Sequence, residues 1–249
     1  MNCSALVICF IATAITGWSA QPNFVRSPFV GGDGGGPAPF DLGIPIRYQQ
    51  IYSSSDFLPF LPQGGFITGV RFDVAFAQYG GHPFATTVQS MQINMSTTTA
   101  AVDGLSAMFS QNVGSDNTVV LGPTSVTISD IDTGGADIRF AFSTPFFYNP
   151  SSGNLLLDIF NYSGSTSSLF NGVAHMDTTS SLLTLNSVND PSGILSTAGL
   201  VTVFEVTPVP EPYSFLLLLA GLGSCLWGRA LALLSFCKSV RDGRVKVHW

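Results

Sequence analysis

The sequence predicts an all-β protein, a β-sandwich of jelly-roll-like kind, and three observations carry that expectation. Apolar and polar residues alternate with a period of two over short runs. Clusters of Gly, Pro, Asn and Ser break those runs at short intervals. No stretch of the body repeats apolar residues with the 3.6-residue period of an amphipathic helix.

The strands can be justified in chain order. "IRYQQIY" at 46–52 alternates, and "SSSDFLPFLPQGG" then breaks it. "FITGVRFDVAFA" at 66–77 sets Val70, Phe72, Val74 and Phe76 against Gly69, Arg71, Asp73 and Ala75, the pattern of a half-buried strand. Further strands are expected at 88–96, 117–121, 125–131, 137–142, 154–162, 169–176 and 200–206. Gly122-Pro123, Gly134-Gly135, Asn149-Pro150, Ser152-Gly153 and the run 190–193 supply the turns. About nine strands of this kind call for sheet-on-sheet packing, with alternate Phe rings filling the space between sheets at about 2–3 kcal/mol each. No internal repeat of fixed period is present, so a propeller or solenoid is not expected. "GGDGGGPAP" at 31–39 has neither helix nor strand propensity and reads as a flexible linker or loop, and no Gly-Lys-Ser/Thr follows to make it a phosphate-cradling one.

The chain has 249 residues, which suits one main domain once the terminal segments are set aside. With 10% charged and 45% hydrophobic residues, including 20 Phe, its body should fold. Residues 21–212 carry four basic side chains (Arg26, Arg47, Arg71, Arg139) against fourteen acidic ones, whereas residues 213–249 carry five basic and one acidic. An acidic body with no Lys before Lys238 offers little to a phosphate backbone, and nucleic acid is excluded as a partner. Cys3, Cys9, Cys225 and Cys237 all belong to terminal apolar segments, so the body has no disulfide framework, Cys-based zinc site or Cys nucleophile.

Both ends read as addresses. An apolar stretch from about residue 5 to 15, followed by small residues ending at Ser19-Ala20, has the length of a signal-peptide core and is shorter than a bilayer span. Cleavage is expected after Ala20; the competing reading is a buried element of the domain. Tyr213 to Gly228 is apolar or small throughout, Arg229 interrupts, and apolar residues resume to Cys237. A helix over 213–237 would be about 37 Å long, enough to cross the roughly 30 Å hydrocarbon core. Arg229, Lys238, Arg241, Arg244 and Lys246 orient such a span with its end in the cytoplasm and the acidic body outside. The competing reading there is a buried core helix. The expected organisation is a signal peptide (1–20), a Gly/Pro-rich segment (21–43), a β-sandwich (44–207) and a sorting region (208–249).

Chemistry is sparse. Of three histidines, His82 sits in a turn, His175 stands near Asp177 in "HMD", and His248 belongs to the basic tail. No Gly-x-Ser-x-Gly elbow exists to build a hydrolytic triad. Asp130, Asp132 and Asp137 in "SDIDTGGAD" are candidates for a calcium loop, although solvated turn acids are the simpler reading and the spacing is not that of an EF-hand. Beyond calcium no cofactor is expected. The triplets at Asn94 and Asn161 match the glycosylation sequon.

Val209-Pro210-Glu211-Pro212, standing immediately before the apolar span and the basic end, resembles a PEP-CTERM sorting signal, the tripartite C-terminal tag of exported bacterial proteins processed by exosortases. Here Arg229 stands alone and the other basic residues spread through a longer tail, where that family has a compact Arg-rich end. The motif has physical sense: Pro210 and Pro212 keep the backbone out of a helix just outside the bilayer, and Glu211 resists being drawn into lipid. The body is loosely similar to the β-rich bodies of such proteins through "RYQQIYSSSDF", "NVGSDNTVVLGP" and "FFYNPSSGNLLLDI".

The resemblance implies a non-enzymatic protein exported by its signal peptide, held transiently in the inner membrane, and delivered by an exosortase to the cell surface or medium, in association with extracellular polysaccharide or biofilm. The alternatives are a carbohydrate-binding module, for which Tyr48, Tyr52, Phe57 and Tyr148 are candidate stacking residues, and a secreted hydrolase using the Asp-rich loop.

Overall fold

A computed structural model describes residues 23–28, 34–36, 39–40, 43–73, 84–130, 137–164, 172–185 and 187–209. For 34–36, 73, 84–86, 129–130, 137 and 172–178 it is the backbone alone that is described. Among these residues the strands are β1 (Asn23–Ser27), β2 (Gly34–Gly36), β3 (Ile46–Tyr52), β4 (Gly65–Asp73), β5 (Phe84–Thr98), β6 (Thr118–Asp130), β7 (Asp137–Tyr148), β8 (Asn154–Asn161), β9 (Gly172–Leu185), β10 (Ile194–Leu200) and β11 (Thr202–Pro208). Two single-turn helices, α1 (Ser54–Phe57) and α2 (Phe109–Asn112), lie in the connections.

The strands form two antiparallel sheets. One has the order β1-β11-β4-β7; the other runs β10-β9-β3-β8-β5-β6, with β2 also paired to β9. The body is therefore all-β and sandwich-like, as its alternation predicts. Val25, Ile67, Val70, Phe72, Ile138, Phe140 and Phe204 of the four-stranded sheet share one core with Ile46, Tyr48, Ile93, Leu157 and Ile159 of the seven-stranded one. Aromatic rings knit it together: Tyr52 meets Phe204 edge-on at 4.8 Å, and Phe57 meets Tyr148 and Phe204 at 5.2 and 5.1 Å.

The central strands β3 and β8 are buried on both faces. Their inward residues join the main core, while Ile51 and Leu156 point the other way into a second, smaller cluster with Leu105, Phe109 and Leu182. That cluster exists because the β5–β6 connection folds back over the outer face of the seven-stranded sheet. Backbone bonds hold it there: Phe109 N–H donates to the Pro191 carbonyl at 3.0 Å, and Gly193 N–H donates to the Ala107 carbonyl at 3.0 Å.

A single residue, Val201, separates β10 from β11, so the chain changes sheet within one step. Gln50 takes the place of a neighbouring strand at this corner. Its Oε1 accepts from Leu200 N–H at 2.8 Å and its Nε2 donates to the Leu200 carbonyl at 2.9 Å, so both backbone polar groups of Leu200 are satisfied at the corner. Tyr48 donates to the same Gln50 Oε1 at 2.6 Å. Gly199 is required by space: a Cβ there would lie 2.5 Å from Thr179 Cγ2 and 2.6 Å from Gln50 Nε2.

Several sequence expectations need correction. The Gly/Pro-rich segment 21–43, set apart from the sandwich at 44–207, contributes a strand to it, because β1 pairs with β11 from Asn23↔Val206 to Ser27↔Thr202. Within the supposed linker, Gly34–Gly36 pairs with Gly172 to Ala174; glycine carries the same backbone donor and acceptor as any residue, and the rim of β9 offered partners. Gly122-Pro123 does not end a strand, and the runs 117–121 and 125–131 merge into β6. This strand is an edge of its sheet, where a missing proline N–H is tolerated, and the irregular β5–β6 register absorbs the distortion. Finally, 200–206 is two strands on different sheets. The chain divides after Val209, two residues beyond the expected end of the sandwich. The signal segment with Ala20, and everything from Pro210 onward, including the span 213–237 and its flanking basic residues, lie outside the described residues. Among the described residues no helix is long and apolar enough to cross a membrane.

Candidate functional site

The three tyrosines expected to stack on sugars are not available for it. Tyr48, Tyr52 and Tyr148 are 4%, 1% and 0% exposed, and Phe57 is equally buried. They lie on the inward face of their strands, where burial pushes the three phenol pKa values up. The glycosylation triplets are closed as well: Asn94 is buried, and Asn161, with no exposed surface, donates through Nδ2 to the Pro39 carbonyl at 3.2 Å. Of the calcium candidates, Asp130 ends β6, Asp137 opens β7 opposite Asp73 of β4, and Asp132 lies outside the described residues. Among the described residues no group of three or more His, Cys, Asp or Glu is placed to hold a metal ion. His175 and Asp177 both belong to β9; His82 and His248 lie outside the described residues.

The outer face of the seven-stranded sheet carries the most elaborate polar arrangement. One register row runs Thr184, Arg47, Phe160, Gln92 across β9, β3, β8 and β5; the next runs Leu182, Gln49, Asp158, Asn94. Arg47 reaches Asp158 in a two-pronged ion pair, Nε to Oδ1 at 3.1 Å and Nη2 to Oδ2 at 2.8 Å. Gln49 Nε2 donates to the same Oδ2 at 2.9 Å and to the Phe109 carbonyl at 3.2 Å, and Asn112 Nδ2 donates to Gln49 Oε1 at 3.0 Å. Asp158 stands inside the apolar run "NLLLDIFN", and a buried carboxylate there is tolerable because a guanidinium and an amide satisfy it.

Above this network the Arg47 guanidinium lies over two rings, 4.3 Å from the Phe109 centroid and 4.4 Å from that of Phe160. Phe160 in turn stacks with Tyr162 at 6.0 Å and 15°. Tyr162 is the exposed member, 37% open, with its hydroxyl 3.5 Å from Gln92 Oε1. A depression of about 340 Å³ adjoins the row on the β9–β10 side, lined by Thr184, Leu185, Asp190, Ser192, Gly193 and Ile194.

No protein-family model matches the chain, and no curated protein matches it. What this face can do follows from its own chemistry. An open ring face beside an amide suits the apolar face and hydroxyls of a sugar. Asp158 accepts three hydrogen bonds and is buried, so it is committed to the fold and not free to act as an acid or nucleophile.

The outer face of the four-stranded sheet holds a different cluster. Glu205 of β11 accepts from Arg139 Nε at 2.5 Å and Nη2 at 2.8 Å, and from Arg71 Nε at 2.9 Å. The hydrogen bond from Arg139 is the main reason that its pKa lies below the ordinary carboxylate range. Arg71 also lies 4.8 Å from the ring centroid of Phe24.

Sequence reasoning passed over Phe160 and Tyr162. The available signal was their i, i+2 spacing in "FNY", beside an Asp that an apolar strand can hold only if a cation meets it.

Proposed function

We propose that this is an exported, non-enzymatic surface or matrix protein, delivered by its signal peptide, anchored transiently through the C-terminal segment in the inner membrane, and processed there by an exosortase. One observation supports this most. β11 pairs through Pro208 and the Val209 N–H donates to the Gly64 carbonyl at 3.2 Å, so the division of the chain between Val209 and Pro210 falls inside Val209-Pro210-Glu211-Pro212. A processing sequence has to stand clear of a hydrogen-bonded sheet, because a protease needs unpaired backbone. The reading includes a jelly-roll-like course for the strands, an association with extracellular polysaccharide and no nucleic-acid partner. Mass analysis of the mature C-terminus in the native host tests it: the chain should end near Pro212, and mature protein that uniformly retains Trp249 overturns it.

A second reading, a carbohydrate-binding module, is favoured by the Phe160–Tyr162 stack beside Gln92. It replaces the buried tyrosines with an open ring. A glycan array probed with the full chain and with Tyr162→Ala should show binding that the substitution removes; no binding to any polysaccharide sinks it.

A further inference from the structure

Exposed apolar side chains gather at one rim of the four-stranded sheet. Phe66 is the second residue of β4 and Phe147 the last but one of β7, and the two rings meet edge-on at 5.4 Å. Leu58 and Phe60 belong to the turn that leads into β4, and Val209 is bonded to Gly64 in that turn. All five are between 37% and 49% exposed. The three stretches of chain that meet here, 57–70, 140–157 and 206–209, contain no charged residue, and the acid Asp56, which precedes the first of them, acts on Tyr148. Exposed aromatic and aliphatic groups without a charge among them are unusual on a water-facing rim, and mark a surface that something covers.

We infer that this rim rests in the interfacial layer of a phospholipid bilayer. The inference rests on the membrane-anchored reading above and adds the surface by which the body meets lipid. The occupant is argued from chain length: Val209, in the rim, is four Cα steps from Tyr213, where the apolar span begins, and four extended steps reach at most about 14 Å. The headgroup layer on each side of the hydrocarbon is itself about 5–8 Å thick, so the rim is held within reach of it. Phe and Leu side chains partition into this layer, and because none of the five exposed side chains is charged, seating them there avoids the main cost of bringing protein surface to lipid. The consequence for processing is positional. A body seated on lipid keeps Pro210-Glu211-Pro212 at the membrane surface, where a membrane-embedded protease works, and stops it from lifting away.

The test uses the full chain reconstituted in phosphatidylcholine vesicles doped with a diazirine phospholipid, with photo-adducts mapped by mass spectrometry. Ile194 and Leu195 on β10, exposed and apolar but on the other sheet, serve as the internal control. Adducts in 213–237 and at Phe60, Phe66 and Phe147, several-fold above those at Ile194 and Leu195, are expected. Adducts in 213–237 with none at the rim, or with equal labelling of Ile194 and Leu195, overturn the inference and leave the membrane anchor standing. An absence of adducts in 213–237 overturns the anchor and the inference with it.

Discussion

The two outer faces of the sandwich solve the same problem differently. Each brings arginine to a carboxylate on a strand whose other side is core: Arg47 to Asp158 on the seven-stranded sheet, Arg71 and Arg139 to Glu205 on the four-stranded one. The first pair is roofed by the β5–β6 connection, tied by Gln49 and Asn112, and the Arg47 side chain is 15% exposed. The second is open to water on one side, and the Arg139 side chain is 52% exposed. A covered ion pair is stabilising only as a complete set, since losing one partner strands the other away from water, whereas an open pair can rehydrate its survivor.

The comparison can be broken by substitution. Asp158→Ala leaves Arg47 and Gln49 unsatisfied beneath the roof and should cost about 4 kcal/mol in denaturant unfolding. Phe109→Ala removes the ring that packs into the second cluster and faces Arg47; a loss of about 3 kcal/mol is expected, with hydrogen exchange accelerating first in residues 105–113. Glu205→Gln, by contrast, should cost only about 1 kcal/mol at neutral pH, because both guanidinium groups retain access to solvent. If Glu205→Gln proved as damaging as Asp158→Ala, coverage would not be what separates the faces.

Acidity sharpens the same contrast. Glu205 has a folded pKa below its ordinary value of 4.5, so the native state binds its proton less readily than the unfolded chain. Its contribution is whole above that value and is lost as pH falls through the depressed one. Unfolding curves recorded from pH 5 down to 2.5 should show that loss in the native chain and a shallower decline in Glu205→Gln. Phe147→Ser, on the rim of the open sheet, is expected to cost no more than about 1 kcal/mol, since nearly half of the residue is already in water and what it loses is mainly the edge contact with Phe66. A larger loss would mean that the rim is structural core.

Legibility in the sequence followed the range of the interactions. β3 is found at the residues its alternation predicts, and β8 within one, because each is specified by its own pattern of side chains. β1 and β2 were missed, since pairing with β11 and with β9 depends on partners far along the chain and not on anything in "NFVRS" or "GGG". The tyrosines failed as stacking candidates for a related reason. Tyr48 alternates with Arg47 and Gln49, which shows that it faces one side; that this side is the interior follows from Leu200, whose N–H lies 3.4 Å from the Tyr48 hydroxyl across 152 residues.

The sequence by itself determined the all-β class, the polarity of the chain with an acidic body and basic tail, the absence of cysteine between Cys9 and Cys225, and the order of Val-Pro-Glu-Pro, apolar run and basic tail. These are properties of composition and of neighbours within a few residues. Only the tertiary structure decided which alternating face met the other sheet, which acids found cations, and which aromatic rings stayed in water. A strand's period of two fixes that its residues face two ways. Which way is covered depends on what the rest of the chain brings to lie across it.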